Sequence, residues 1–289
     1  MRIGIIGGGK VGCCLAGYLQ SKNFLAGITA ATAQHSAKLA QRFQTPAFTN
    51  AELLQAADVV LLTVPDGKVA AVAQNLAVAG AAQEKIVLHC SGSLGLEPLE
   101  ALRLQGAHVG SLHPLQSFAG GATQLAGVYM AVDGDDEAKK AAEALAVILE
   151  GHPFYVPDAE RAAYHAAACI CSNYVVTLEA LAQGLISRWL GDEQKAWQAL
   201  LPLFKGTAAN LERTVSPGNV LTGPIARGDV ETVKKHLAVL PEALRDLYSS
   251  LGLATVKLAL MNGTIDVQAG HRLTTLLKGR QSPKNSLEV

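Results

Sequence analysis

Residues 1–20 read MRIGIIGGGKVGCCLAGYLQ: a short apolar run to Ile6, a knot of glycines, then an apolar-periodic stretch. Gly7-Gly8-Gly9-Lys10-Val11-Gly12 satisfies G-x-G-x-x-G with Gly7, Gly9 and Gly12. In a strand–turn–helix each of these glycines has its own reason. The first permits the tight turn, the second lets a pyrophosphate approach the backbone, and the third lets the helix pack close on the strand. The helix N-terminus, with the amides around Lys10 and Val11 and the positive end of the dipole, then faces the phosphates. Glycine-rich turns are common, but here a strand precedes the pattern and a helix follows it, the context a dinucleotide seat requires.

Working outward, short β-like runs recur near residues 2–6, 25–30, 58–64, 85–90, 107–111, 127–132 and 153–156. Helical patterns lie between most of them, over 10–21, 35–43, 67–79 and 135–149. Strand–helix alternation with continuously apolar strands predicts an α/β fold: a Rossmann-type, doubly wound, mostly parallel sheet covered on both faces. After Val156-Pro157-Asp158 the text changes, and Ala- and Leu-rich helical segments follow to about residue 278. We therefore expect a dinucleotide-binding domain over 1–157 and an all-α domain over 158–289, with Asp158 as the cap of its first helix. The polar tail KGRQSPKNSLEV is expected to fray.

Composition narrows the function. Hydrophobic residues make up 49% and charged ones 17%, the balance of a chain that buries a core. A formal net charge of zero gives no support to nucleic-acid binding or to an anionic membrane surface. Apolar runs such as VVLLTVP (59–65) fall far short of the about 20 residues needed to span a bilayer. The first strand begins at Arg2, so no leader segment is expected. The five cysteines (13, 14, 90, 169 and 171) have no C-x-x-C spacing, which fits a reducing cytoplasm and argues against a metal site.

The form of the dinucleotide is read at the second strand. An acidic residue there, about 20 residues beyond the glycines, would bond the ribose diol of NAD. The position falls at Ala31-Thr32 and holds no acid; the first carboxylate of the chain is Glu52. Thr32, Gln34, His35 and Ser36 offer hydroxyls and an imidazole, which suits a 2′-phosphate, so NADP is expected, with NAD as the alternative. Thr32 and Ser36 join Gly7, Gly9, Lys10, Val11 and Gly12 as cofactor contacts. Val64 and Pro65, after the third strand, lie where such folds keep their ligands and complete the set. Asp66 reads as a helix cap.

Two further strand ends carry polar clusters: IVLHCSGSLG, with His89, Ser91, Gly92 and Ser93, and HVGSLHPLQSF, with Ser111, His113 and Gln116. Both should open on the edge that holds the glycine loop, beside a small polar substrate. In AAYHAAACICSNYVV, His165, Cys169 and Asn173 are four apart and would share a helix face. Lys205 in LPLFKGTAANLE and Arg227 in VLTGPIARGD are candidates to clamp a carboxylate.

The N-terminal motifs GIIGGGKVG, DVVLLTVPD, HCSGS and SLHPLQSF resemble dehydrogenases of the phosphogluconate dehydrogenase-like superfamily, which includes pyrroline-5-carboxylate reductase and deazaflavin-dependent NADP oxidoreductases. Over nearly the full length, YHAAACICSNY, LLPLFKGTAANL and LTGPIARGD resemble Rossmann-like proteins with a C-terminal domain of unknown function 2520. The resemblance implies an oxidoreductase, with relatives implicated in reducing 2-ketopantoate, and a helical second domain that often dimerises. Related hydroxyacid dehydrogenases carry a lysine, with an asparagine four residues later, on the first long helix of that domain. Asn173 matches the asparagine, but Cys169 stands in place of the lysine. SLHP is similar to the HP motif of prephenate dehydrogenases, which implies a substrate-side His113.

The reading is a cytoplasmic, homodimeric reductase that passes hydride from NADPH to a C=O or C=N carbon of a small carboxylate. His113, His165 and Asn173 are the catalytic candidates, and Ser91, Gly92, Ser93, Gln116, Lys205 and Arg227 the substrate contacts. A non-catalytic NADP(H)-binding sensor is the rival reading.

Overall fold

The structure, a computed structural model, describes residues 1–120 and 123–279. Packing divides the chain into two compact units, Met1–Glu179 and Ala180–Val289. The first begins β1 (Ile3–Ile6), α1 (Lys10–Ser21), β2 (Leu25–Thr29), α2 (Ala33–Arg42), α3 (Asn50–Ala56), β3 (Val59–Leu62) and α4 (Asp66–Val78). It continues with β4 (Ile86–His89), α5 (Glu100–Arg103), β5 (His108–Pro114), β6 (Tyr129–Gly134), α6 (Asp136–Ile148), β7 (His152–Tyr155) and α7 (Arg161–Cys171). α8 (Asn173–Leu190) crosses the division; α9 (Glu193–Glu212), α10 (Val230–Val239), α11 (Glu242–Met261) and α12 (Val267–Lys278) follow.

The strands form one sheet in the order β2-β1-β3-β4-β5-β6-β7. Neighbours are parallel except β5 and β6, which run antiparallel. The mostly parallel, doubly wound sheet expected from the sequence is present. Alternate residues of each strand face opposite layers. Ile3, Ile5, Val59, Leu61 and Leu88 pack with residues of α1, α2 and α6. Ile6, Val60, Leu62, Val87 and Val109 pack with residues of α3, α4 and α5. Both faces are dry, which is why the strands read as unbroken apolar runs. α3 escaped the sequence reading although Thr49 and Glu52 form a reciprocal capping box at its start.

Two features of topology place the site. The chain passes from β1 to β2 on one side and later to β3 on the other, so a switch point opens at the carboxyl ends of β1 and β3. β5 pairs with β4 only as far as Ser111, opposite His89. It continues to Pro114 against antiparallel β6. The overshoot carries His113 two residues, about 7 Å, beyond the end of β4.

The change of composition at 157/158 and the packing division at 179/180 do not coincide, because α7 is bonded to the sheet. Ahead of it lies a 3-10 turn, Asp158–Glu160, whose N-cap is Pro157 without a side-chain bond. The expected Asp158 cap is therefore not formed; its carboxylate lies against Gly95. The helical stretch Asp158–Leu190 is long and apolar enough, by length and composition, to cross a bilayer, an 18-residue window within it having a mean hydropathy of 1.3. That corrects the expectation of short apolar runs only: here the apolar residues are spread among alanines and polar groups, so no run announces them. In the second unit Val233, Leu237, Val256, Leu273 and Leu277 form a core. Asp192, Asp229 and Asp266 cap α9, α10 and α12, each accepting the amide three residues on. The tail from Arg280 lies outside the described residues.

Candidate active site

The glycine loop has the geometry its sequence foretold. Gly7 leaves β1 at φ +131°, and a Cβ there would strike Thr63. The Thr63 hydroxyl donates to the Gly7 carbonyl at 2.8 Å, stitching β3 to the loop. A Cβ at Gly12 would collide with the Gly7 carbonyl. Gly9 differs: nothing lies within 4 Å of where its Cβ would be, and it caps α1 without a side-chain bond. The amides of the first turn of α1 (Lys10, Val11, Gly12) have no intrahelical partner and no side-chain cap. Two glycines demanded by packing and one left open beneath uncapped amides fit a pyrophosphate. Lys10 Nζ donates to the Ala119 carbonyl at 2.8 Å. A cavity of about 890 Å³ beside the loop is lined by Gly8, Gly9, Lys10, Tyr18, Arg42 and Thr123, among others.

At the end of β2 no carboxylate appears, and the first turn of α2 is free of acids. Thr32 is the N-cap of α2, and its hydroxyl accepts from the His35 amide at 3.2 Å. His35 reaches back to the loop, its Cε1 3.4 Å from where a Gly8 Cβ would sit. Ser36 is buried, accepting from the Ala30 amide at 2.9 Å and donating to the Thr32 carbonyl at 3.1 Å, bonds that build the turn. Val64 is half-buried and Pro65 caps α4, both just past β3 at the switch point.

At the end of β4, His89 is fully buried. Its Nδ1 accepts from the Ser91 amide at 3.2 Å, which leaves Nε2–H to donate to the Gly95 carbonyl at 2.9 Å. Burial first, then the charge of Arg161, brings its pKa down to about 4. Asp66, expected as a cap, instead accepts from the Ser91 hydroxyl at 2.8 Å and the Ser93 hydroxyl at 3.0 Å. Ser91 Oγ also accepts from the amides of Ser93 and Leu94 at 3.2 and 3.1 Å. One donor and two acceptor sites are all a hydroxyl has. The Ser91 hydroxyl is thus taken up by these bonds, while Ser93 stays exposed. Burial pushes the neighbouring Cys90 thiol up to about 12, keeping it neutral.

At the end of β5, Ser111 and His113 lie two apart and so point to the same face, where α7 runs. Arg161 opens α7 and is 1% exposed. It donates from Nε to the Leu94 carbonyl at 2.7 Å and from one terminal nitrogen to Ser111 Oγ at 2.6 Å and the Ser91 carbonyl at 3.4 Å. Its other terminal nitrogen is buried without a partner among the described residues. Three residues on, the Tyr164 hydroxyl lies 2.6 Å from His113 Nδ1. His165 packs edge-on to His113 with ring centroids 6.0 Å apart, its own Nδ1 buried and unpartnered among the described residues. Gly92 sits beneath both rings: a Cβ there would come 2.6 Å from His165 Nδ1 and 2.8 Å from His113 Nε2. Burial foremost, with the nearby His165 and Arg161, lowers the His113 pKa to about 4. Burial also pushes the Tyr164 phenol up to about 12.

The structure thus brings Gly92, His113, Tyr164 and His165 together and adds one residue the sequence reading passed over, Arg161. The signal for it was the i, i+3, i+4 spacing of Arg161, Tyr164 and His165, one helix face. Asn173 does not continue that face. The α7 ladder ends at Ser172 (φ −120°, ψ −69°), and Asn173 starts α8, exposed and without a side-chain hydrogen bond among the described residues. Gln116 spends its amide on the Gln124 carbonyl and the Ser117 amide. Lys205 on α9 and Arg227 in a 3-10 turn are exposed residues of the second unit.

A Rossmann-like domain profile matches residues 1–114, and the domain of unknown function DUF2520 matches residues 128–255. Among proteins of curated function none matches the chain at a significant level. A structure from Bacteroides fragilis, described as a candidate NADP oxidoreductase, is 23% identical with a TM-score of 0.71, covering 88% of this chain and 97% of that one. A pyrroline-5-carboxylate reductase from Coxiella burnetii is 16% identical with a TM-score of 0.60, covering 95% and 98%. The Plasmodium falciparum pyrroline carboxylate reductase, solved with NADP bound, is 15% identical with a TM-score of 0.55, covering 96% and 98%. At these identities the likeness is one of fold. The chain thus carries a Rossmann-like match over residues 1–114, followed by a match to the domain of unknown function DUF2520 over residues 128–255.

Proposed function

We propose that the protein is an NADPH-dependent reductase acting on a C=O or C=N group of a small carboxylate-bearing substrate, a 2-keto acid such as ketopantoate or a cyclic imine. The observation that carries the reading is a juxtaposition on one sheet edge. An uncapped, glycine-lined helix N-terminus ends β1, and an imidazole with an unbonded ring nitrogen ends β5. Only β3 and β4 lie between them, a span of about 14 Å. Gly7, Gly9 and Gly12 would admit the pyrophosphate to the α1 amides, with Val64 and Pro65 along the next strand end. The acid-free end of β2, with Thr32 and His35 in its place, favours a 2′-phosphate. The nicotinamide supplies the hydride when bound. His113 and His165 orient the group being reduced, over the bare backbone of Gly92. The reductases named among the structures above are consistent with this chemistry.

The same reading includes a homodimer. α8 has no buried residue and exposes Tyr174, Val176, Leu178 and Trp189, apolar surface that a second copy would cover. The described cysteines are all free thiols, consistent with a reducing cytoplasm.

The test is calorimetry with NADPH and NADH, followed by NADPH oxidation against short 2-keto acids, cyclic imines and aldehydes. NADPH should bind more tightly than NADH, and Gly12→Val should abolish both. Absence of dinucleotide binding would overturn the reading, and binding without turnover of any class would leave only its cofactor half.

A further inference from the structure

Resting on that reading, one question is what kind of group His113 presents. Its ring has two nitrogens in different circumstances. Nδ1 is 2.6 Å from the Tyr164 hydroxyl. Nε2, on the side of Gly92, bonds to no described residue and is not among the buried, unpartnered atoms. The Tyr164 hydroxyl has no other acceptor among the described residues, so its hydrogen goes to Nδ1. An Nδ1 that accepts leaves the ring hydrogen on Nε2.

A second observation concerns charge. Arg161 is buried beneath the same rings, and no carboxylate lies within ion-pair distance of it among the described residues. It is bonded to two carbonyls and a hydroxyl, none of which neutralises it. From α7, then, Arg161, His165 and Tyr164 face His113; His89 faces it from β4, and Asp66 from the start of α4. Asp133 on β6 and Asp158 in the 3-10 turn act on Arg161 itself. Of the groups that act on His113, only Asp66 favours a second proton on its ring, and its carboxylate is already taken by Ser91 and Ser93.

We propose that His113 meets the substrate as an uncharged hydrogen-bond donor through Nε2–H, its tautomer set by Tyr164 on Nδ1 and its neutrality by burial, to which the unpaired guanidinium of Arg161 adds. Tyr164 and Arg161 are positioning residues. The ring therefore polarises the C=O or C=N bond as a neutral group and does not act as an imidazolium acid. The depressed basicity of His113 agrees with this.

The decisive experiment needs no substrate. Nitrogen NMR of histidine-labelled full-length protein, with His113 assigned by its loss in His113→Ala, reports the tautomer and protonation directly. Between about pH 5 and 8, His113 should stay neutral with its hydrogen on Nε2. Tyr164→Phe should release the tautomer into a mixture, and Arg161→Gln should raise the pH at which the ring protonates toward about 6.5. Arg161→Lys, which keeps the charge if the glutamine variant fails to fold, should retain the wild-type titration. A His113 that carries its hydrogen on Nδ1, that protonates near about pH 6.5 in the wild type, or that ignores Tyr164→Phe, overturns the inference. None of these outcomes depends on the substrate screen, so failure of the reductase reading would be seen separately.

Discussion

His89 at the end of β4 and His113 at the end of β5 have much in common. Both end neighbouring parallel strands, both are desolvated, and in both burial brings the pKa down to about 4. They differ in their bonds. His89 has a backbone partner on each nitrogen and is finished; His113 has one partner and a nitrogen left over. A perturbed pKa therefore does not separate the histidine whose bonds are complete from the one with a nitrogen free for a ligand. Counting the lone pairs and hydrogens does.

The largest effect that would break this comparison is catalytic. His113→Ala should lower kcat/KM by about 10²–10³-fold while leaving NADPH affinity within a few-fold. If His89→Ala did so instead, with His113→Ala silent, the two roles would have to be exchanged. The next effect is on stability. His89 is neutral when folded and protonates near pH 6.5 when unfolded, so its contribution is fully present above about pH 6.5 and is lost as pH falls toward about 4, about 3 kcal/mol in all. Urea titrations of wild type and His89→Gln at several pH values should show that acid limb flattened in the variant.

Gly92→Ala sharpens the contrast further. Its Cβ would press on both His113 and His165 but not on His89, so about 1–3 kcal/mol should be lost together with turnover. Thermal melts and kcat measured on one preparation would check it; an active, fully stable variant would mean that the rings are not held over this backbone. The smallest effect belongs to Ser93, an exposed hydroxyl on Asp66. Ser93→Ala should cost less than about 1 kcal/mol, against about 1–3 kcal/mol for Ser91→Ala, which leaves two part-buried amides without that acceptor.

The glycine loop was legible in the sequence because its reasons are backbone reasons. Gly7 and Gly12 are required by a turn and a close approach that lie within a few residues of chain. Strands such as β1 and β3 were legible because a doubly covered sheet makes them uniformly apolar. The partners of the serines were not legible: a hydroxyl after a strand looks the same whether it faces a ligand or bonds to its own loop, as Ser36 and Ser91 do. Asn173 was misread because a four-residue spacing implies a shared face only while the helix continues, and the ladder breaks at Ser172.

The sequence by itself determined the α/β order, the glycine turn after β1 and the missing acid at Thr32, since local periodicity and local sterics decide all three. Only the tertiary structure decided which groups surround His113. Its overshoot past β4 depends on an antiparallel strand some fifteen residues further along, and its partner Tyr164 is 51 residues away. Arg161 is an ordinary surface cation by sequence, and burial against three backbone-held acceptors makes it a fixed charge in the site. Such contacts join residues with no sequence relationship, because a sheet edge gathers side chains by strand position and not by order in the chain.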